Sequence, residues 1–131
     1  MKNFLLLLFT CCLLTQCQSI NTENTSVTFT IDSFDVANNQ MEVTFSITNP
    51  TESTWDGGNW SLHWNSIFGE TIPESLPEGM EYTYVGGQQY LILVFGEQYS
   101  LKPNEKLIFS AKQKGIIPRL AMGPMGFFVH L

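Results

Sequence analysis

A chain of 131 residues can bury one respectable core but not several, so a single domain is expected. Its formal charge is −6, from six Lys and Arg against twelve Asp and Glu. That balance argues against nucleic acid, whose phosphates demand basic surface, whereas a neutral polymer such as a glycan makes no such demand. All three cysteines, Cys11, Cys12 and Cys17, lie at or before position 17, so the remainder can form neither a disulfide nor a thiolate zinc site.

In chain order, residues 1–16 read as a lipoprotein signal peptide. Lys2 is followed by an apolar run from Phe4 to Leu14, well short of the roughly 20 residues that span a bilayer. Leu14-Thr15-Gln16-Cys17 resembles a bacterial lipobox, in which the cysteine is acylated and becomes the first mature residue. Gln16 departs from the usual Gly, Ala or Ser. The expectation is export to the bacterial cell envelope and a membrane anchor through lipid on Cys17. Residues 17–26 are polar and read as a tether, and residues 27–131 as the folded domain.

Strand signals then dominate. Val27, Phe29 and Ile31 alternate with Thr28, Thr30 and Asp32, and Met41, Val43, Phe45 and Ile47 alternate with polar residues across an Asn-rich turn, Asp35 to Gln40. A period of two with one wet face predicts a β-hairpin in an antiparallel sheet. Pro50 ends the second strand, because it cannot donate to a ladder. Trp60, Leu62 and Trp64 share a parity that a core demands, with Ser61 and His63 on the other face. Residues Phe68 to Gly79, carrying Pro73 and Pro77, are expected to be a long irregular loop. Tyr82 to Val85 is a short strand. Tyr90 to Phe95, apolar on both faces, is expected to be central and doubly buried. Lys102-Pro103-Asn104-Glu105 is a turn, and Leu107–Phe109 and Phe127–Val129 complete the set. About seven short strands separated by turn signals predict an all-β, two-sheet β-sandwich of immunoglobulin-like or carbohydrate-binding-module-like type; a small closed barrel shares the pattern.

Catalysis is poorly supported. Glycoside hydrolysis needs a proton donor of raised pKa plus a second carboxylate or a substrate acetamido group, and no adjacent Asp-Glu pair occurs. Two isolated histidines, His63 and His130, offer neither a triad nor metal-ligand spacing. The chain is expected not to be an enzyme, and to need no metal and no cofactor. Sugar recognition is the chemistry that remains, since sugar C–H faces stack on exposed aromatic rings while polar groups meet the hydroxyls. Trp55-Asp56-Gly57-Gly58-Asn59 sets a ring, an acid and an amide on a glycine-rich loop, which makes Trp55, Asp56 and Asn59 the candidate ligand-binding residues. The alternative for Trp55 is a ring that covers a sheet edge or plugs the loop.

Across residues 27 to 131 the chain resembles the N-terminal module of bacterial β-N-acetylhexosaminidases and chitobiases of glycoside hydrolase family 20. Trp60, Leu62 and Trp64 match its Trp-x-Leu-x-aromatic strand. Leu101, Pro103 and Glu105 match a Leu-x-Pro-Gly-Glu turn, with Asn104 in place of Gly. Gly123-Pro124-Met125-Gly126-Phe127-Phe128 matches the Pro, Gly and aromatics of a final segment, with Met122-Gly123 in place of Asp-Ala. The resemblance implies a sandwich that binds N-acetylglucosamine-containing, chitobiose-like glycans, followed in the family by a catalytic barrel. Because the chain ends at Leu131 inside a strand, a catalytic domain encoded downstream is one implied partner. Two other readings stand beside this one: an inactive truncated hexosaminidase, and an envelope lipoprotein that binds protein partners through its sheet edges.

Overall fold

The computed structural model describes residues 26–66, 69–86, 90–116 and 124–131. The expected signal segment, Cys17 and the tether as far as residue 25 lie outside the described residues. So do Gly87 and Met122-Gly123.

The hairpin forms as its alternation predicts. β1 (Ser26–Asp35) pairs antiparallel with β2 (Gln40–Thr48), with a bulge between Ile31 and Ser33. The turn between them contains Asn39 in the left-handed region at φ 51°, a conformation Asn tolerates better than other side-chained residues. β3 is Ser61–Asn65, β4 Glu70–Thr71, β5 Met80–Val85, β6 Tyr90–Phe95, β7 Lys106–Lys114 and β8 Met125–His130. They form two four-stranded antiparallel sheets, ordered β1-β2-β7-β4 and β5-β6-β3-β8. The molecule is therefore the expected all-β sandwich, with two separate sheets rather than a closed barrel.

Three expectations need correction. Residues 68 to 79 are not wholly irregular: β4 pairs Glu70 with Lys114 and Thr71 with Gln113, and Pro73–Ser75 forms a single 3₁₀ turn. A two-residue strand is too short to show a period. β7 extends well past Phe109, because Ala111 and Gln113 continue its buried face; a buried glutamine interrupts the apolar pattern by which strands are read. β6 is central but covered on one face only. Leu91, Leu93 and Phe95 are buried, whereas Tyr90 and Ile92 are half-buried and Val94 is 38% exposed.

The inner faces meet in an aromatic-rich core. Phe45 stacks on Phe109 at 5.1 Å, meets Phe29 edge-on at 5.2 Å and touches Trp64 at 5.6 Å. Trp60, Leu62 and Trp64 are buried, as their shared parity predicts. Residues of opposite parity on β3, β6 and β8 are thereby directed outward, and this positions the site.

Candidate functional site

The Trp55 loop is built differently from its expected form. The Trp55 amide donates to Leu101 O and the Leu101 amide to Trp55 O, both at 2.9 Å. This two-way bridge turns the indole inward, where it is 2% exposed and packs 5.3 Å from Trp60. Trp60 in turn stacks on Phe95 at 3.9 Å and donates its Nε1 hydrogen to Tyr99 O at 2.7 Å. Trp55 is thus a core residue, and the reading of its ring as presented to solvent is corrected. Asp56 and Asn59 are exposed neighbours on the same turn, with the Asn59 amide donating to Asp56 O at 3.1 Å; the structure brings those two together without the ring. Gly57 is required by close approach rather than flexibility, since a Cβ there would collide with the Glu97 backbone carbonyl.

An aromatic cluster forms instead on the outer face of the β5-β6-β3-β8 sheet. In register, His63 lies opposite Ile92 on one side and Phe128 on the other, while Asn65 lies opposite Tyr90. The His63 imidazole stacks on Phe128 with centroids 4.8 Å apart, and Tyr90 lies 5.6 Å from His63 and 6.3 Å from Phe128. All three rings are half-buried. Outward positions of an antiparallel sheet normally carry solvated polar side chains, so a cluster of rings there is a departure from the rule.

Hydrogen bonds fix the cluster. Ser61 Oγ is 2.8 Å from His63 Nε2, and Tyr90 OH is 2.6 Å from His63 Nδ1. Burial, followed by repulsion from His130, holds the His63 pKa below its ordinary value, which favours neutral imidazole. Burial pushes the Tyr90 phenol pKa up, so it remains a hydroxyl. Around the rings lie Ser61 and Asn65 on β3 and Thr83 on β5, opposite Ile92. Parity could have suggested His63, Tyr90 and Phe128 as outward residues one strand at a time. Their meeting depends on the pairing order of β6, β3 and β8, which no local pattern encodes.

Two of the clefts among the described residues lie elsewhere. One of about 230 Å³ is lined by Ser33, Asp35, Gln40, Met41, Glu42 and Lys112 and contains no ring. The other, of about 280 Å³, includes Tyr84, Glu70 and Lys114, and its Tyr84 is 44% exposed. Among the described residues no group of three or more His, Cys, Asp or Glu could hold a metal ion, and no helix is long and apolar enough to cross a membrane.

No protein-family model matches the sequence, and no curated protein matches it. Solved structures do resemble it. A GH20 exo-β-N-acetylglucosaminidase from Vibrio harveyi, in complex with N-acetylglucosamine, aligns over 72% of this chain at 16% identity and a TM-score of 0.57. The alignment spans only 13% of that enzyme's length. The chitin-binding domain of Chi18aC from Streptomyces coelicolor aligns over 81% of this chain and 90% of its own, at 14% identity and a TM-score of 0.56. A family GH18 chitinase from Chromobacterium violaceum aligns over 81% of this chain and 17% of its own, at 16% identity and a TM-score of 0.50. At such identities the likeness is one of fold: this domain has the β-sandwich architecture of that chitin-binding domain and of small portions of those two enzymes.

Proposed function

We propose that the domain is a non-catalytic module that binds N-acetylglucosamine-containing glycans on the outer face of the β5-β6-β3-β8 sheet. The observation that carries this reading is the Tyr90–His63–Phe128 cluster, three rings in mutual contact at outward positions. The ring surfaces of such a platform that are not turned toward a neighbouring ring can take sugar C–H groups, and Ser61, Asn65 and Thr83 can meet hydroxyl or acetamido groups. The fold shared with a chitin-binding domain supports the same reading. The small share of the Vibrio enzyme that aligns, 13% of its length, is in keeping with a non-catalytic module; on this reading the purified protein should release no aminosugar from a chromogenic substrate.

The test is depletion of the protein from solution by insoluble chitin. Tyr90→Ala and Phe128→Ala should each weaken binding about threefold to tenfold, the equivalent of one aromatic contact, with far-UV circular dichroism unchanged. Asp56→Ala should bind as the parent does. Full retention of binding by both ring variants would place the site elsewhere. The same reading includes a hexosaminidase-type lipoprotein held at the cell envelope through acyl chains on Cys17; radiolabelled fatty acid should enter the parent chain and not Cys17→Ala.

A further inference from the structure

His63 is the hinge of the cluster's hydrogen bonding. We infer that it acts as a specificity-setting residue: its protonation state decides whether the Tyr90 and Ser61 hydroxyls face a ligand as donors or as acceptors. The relay is a property of the fold; its consequence for sugars rests on the glycan-binding reading above.

Proton counting sets the donor pattern of the face. A neutral imidazole has one N–H donor and one acceptor nitrogen, and an imidazolium has two donors. His63 contacts a hydroxyl through each nitrogen, Ser61 Oγ at Nε2 and Tyr90 OH at Nδ1. In either neutral tautomer one hydroxyl donates its proton to the ring and can only accept from a ligand. The other receives the ring N–H and keeps its own proton free. Protonation makes the ring donate at both nitrogens, so both hydroxyl protons are released outward. The face then has one more donor than before, with the two protein hydrogen bonds intact.

The surroundings set when this happens. Phe128, stacked at 4.8 Å, favours the imidazolium through its ring face. His130 on the same strand, 5.9 Å from His63, opposes it, as does burial. Tyr90 on β6 stays neutral. From β5, Glu81 shares the row of Val94, Ser61 and His130, two strands from Ser61. The exchange therefore falls on the acid side of the ordinary histidine range. An acetamido carbonyl only accepts hydrogen bonds, so the added donor should strengthen its binding as pH falls.

The experiment pairs two readouts on the full-length chain. The first is the imidazole titration of His63 followed by NMR in the parent, Ser61→Ala and Tyr90→Phe proteins. The parent midpoint should lie below that of free histidine. Each variant should move it further down, because the imidazolium loses an acceptor. A midpoint unmoved by both variants overturns the relay. The second readout is chitin depletion between pH 5 and pH 7.5. Parent affinity should rise about threefold to tenfold on acidification, the worth of one added hydrogen bond, with the same midpoint. His63→Gln, which keeps one donor and one acceptor, should bind with no pH slope, and His130→Gln should keep the slope. A slope that survives in His63→Gln overturns the specificity role. Absence of chitin binding at every pH overturns the glycan reading, and the NMR arm still decides the relay.

Discussion

Single residues at the loop beside β3 show how position overrides type. Trp55 looks like a lectin-style ring in isolation, yet its backbone bridge to Leu101 commits the side chain to the core. Trp55→Ala should therefore act on stability: a loss of about 3–5 kcal/mol, as for other buried aromatic truncations, read as a fall in the denaturation midpoint. Asp56→Ala, at an exposed turn, should stay within about 0.5 kcal/mol. With Trp55, Trp60 and Trp64 all buried, the tryptophan emission of the folded protein should also change little on addition of chitin oligosaccharide. Asn49 carries a comparable structural load that its place before Pro50 does not reveal. It is fully buried. Its Nδ2 donates to Ser53 O at 2.9 Å and Leu101 O at 2.8 Å, and its Oδ1 accepts from the Thr51 amide at 2.9 Å and hydroxyl at 2.7 Å. Asn49→Ala would remove all four bonds, of which the one to Leu101 O is buried, and should cost about 1–3 kcal/mol, read as a fall in the denaturation midpoint.

At the scale of elements, the turn before β7 explains why Asn104 can stand where a Leu-x-Pro-Gly-Glu turn has Gly. Pro103 occupies the second position, and the Glu105 amide closes the turn on Lys102 O at 3.0 Å. Asn104 sits at φ 61° in the third position, the geometry of a type II turn, where Gly or Asn is demanded. Asn is thus a conformational equivalent of Gly at this position. Asn104→Gly should leave stability within about 1 kcal/mol, whereas Asn104→Val should lose about 1–3 kcal/mol from a β-branched residue forced to positive φ; urea denaturation distinguishes the two. β2 and β3 were legible because strict alternation survives in their sequences. β4 was not, for it consists of two residues whose pairing is dictated by the end of β7. The two-sided apolar run of β6 was misleading for a different reason: Ile92 and Val94 face outward beside the His63 cluster rather than into a second buried layer.

Over the whole molecule, the core is graded from aromatic at its centre to polar at one end. Phe45, Trp64, Phe95 and Phe109 fill the middle. At the β4 end, Thr71 and Gln113 are buried in register with one another, and Gln113 Nε2 donates to Thr71 Oγ1 at 3.4 Å. The Tyr82 hydroxyl lies against Thr71 without a well-aligned bond. Burial, partly offset by Thr71, pushes the Tyr82 phenol from 10.0 up to about 12. Between those values the unfolded chain has lost a proton that the native state retains, so stability must fall as pH rises. The denaturation midpoint should drop between about pH 10 and pH 12, and Tyr82→Phe should shallow that drop by removing its share.

Alone, the sequence determined the class of this protein. Period-two alternation and punctuating Pro and Asn residues point to antiparallel sheets closed over an apolar core, and the absence of cysteine after position 17 leaves that core to hold them; sandwich and closed barrel share this pattern. It also determined which way most side chains point, since parity along a strand is a local property. Tertiary structure alone decided which outward residues become neighbours. The order β6-β3-β8 joins Tyr90, His63 and Phe128 from segments 27 and 65 residues apart, and the bridge to Leu101 removes Trp55 from the surface. Both depend on long-range pairing, whose free energy resides in contacts between distant segments and so leaves no periodic trace along the chain.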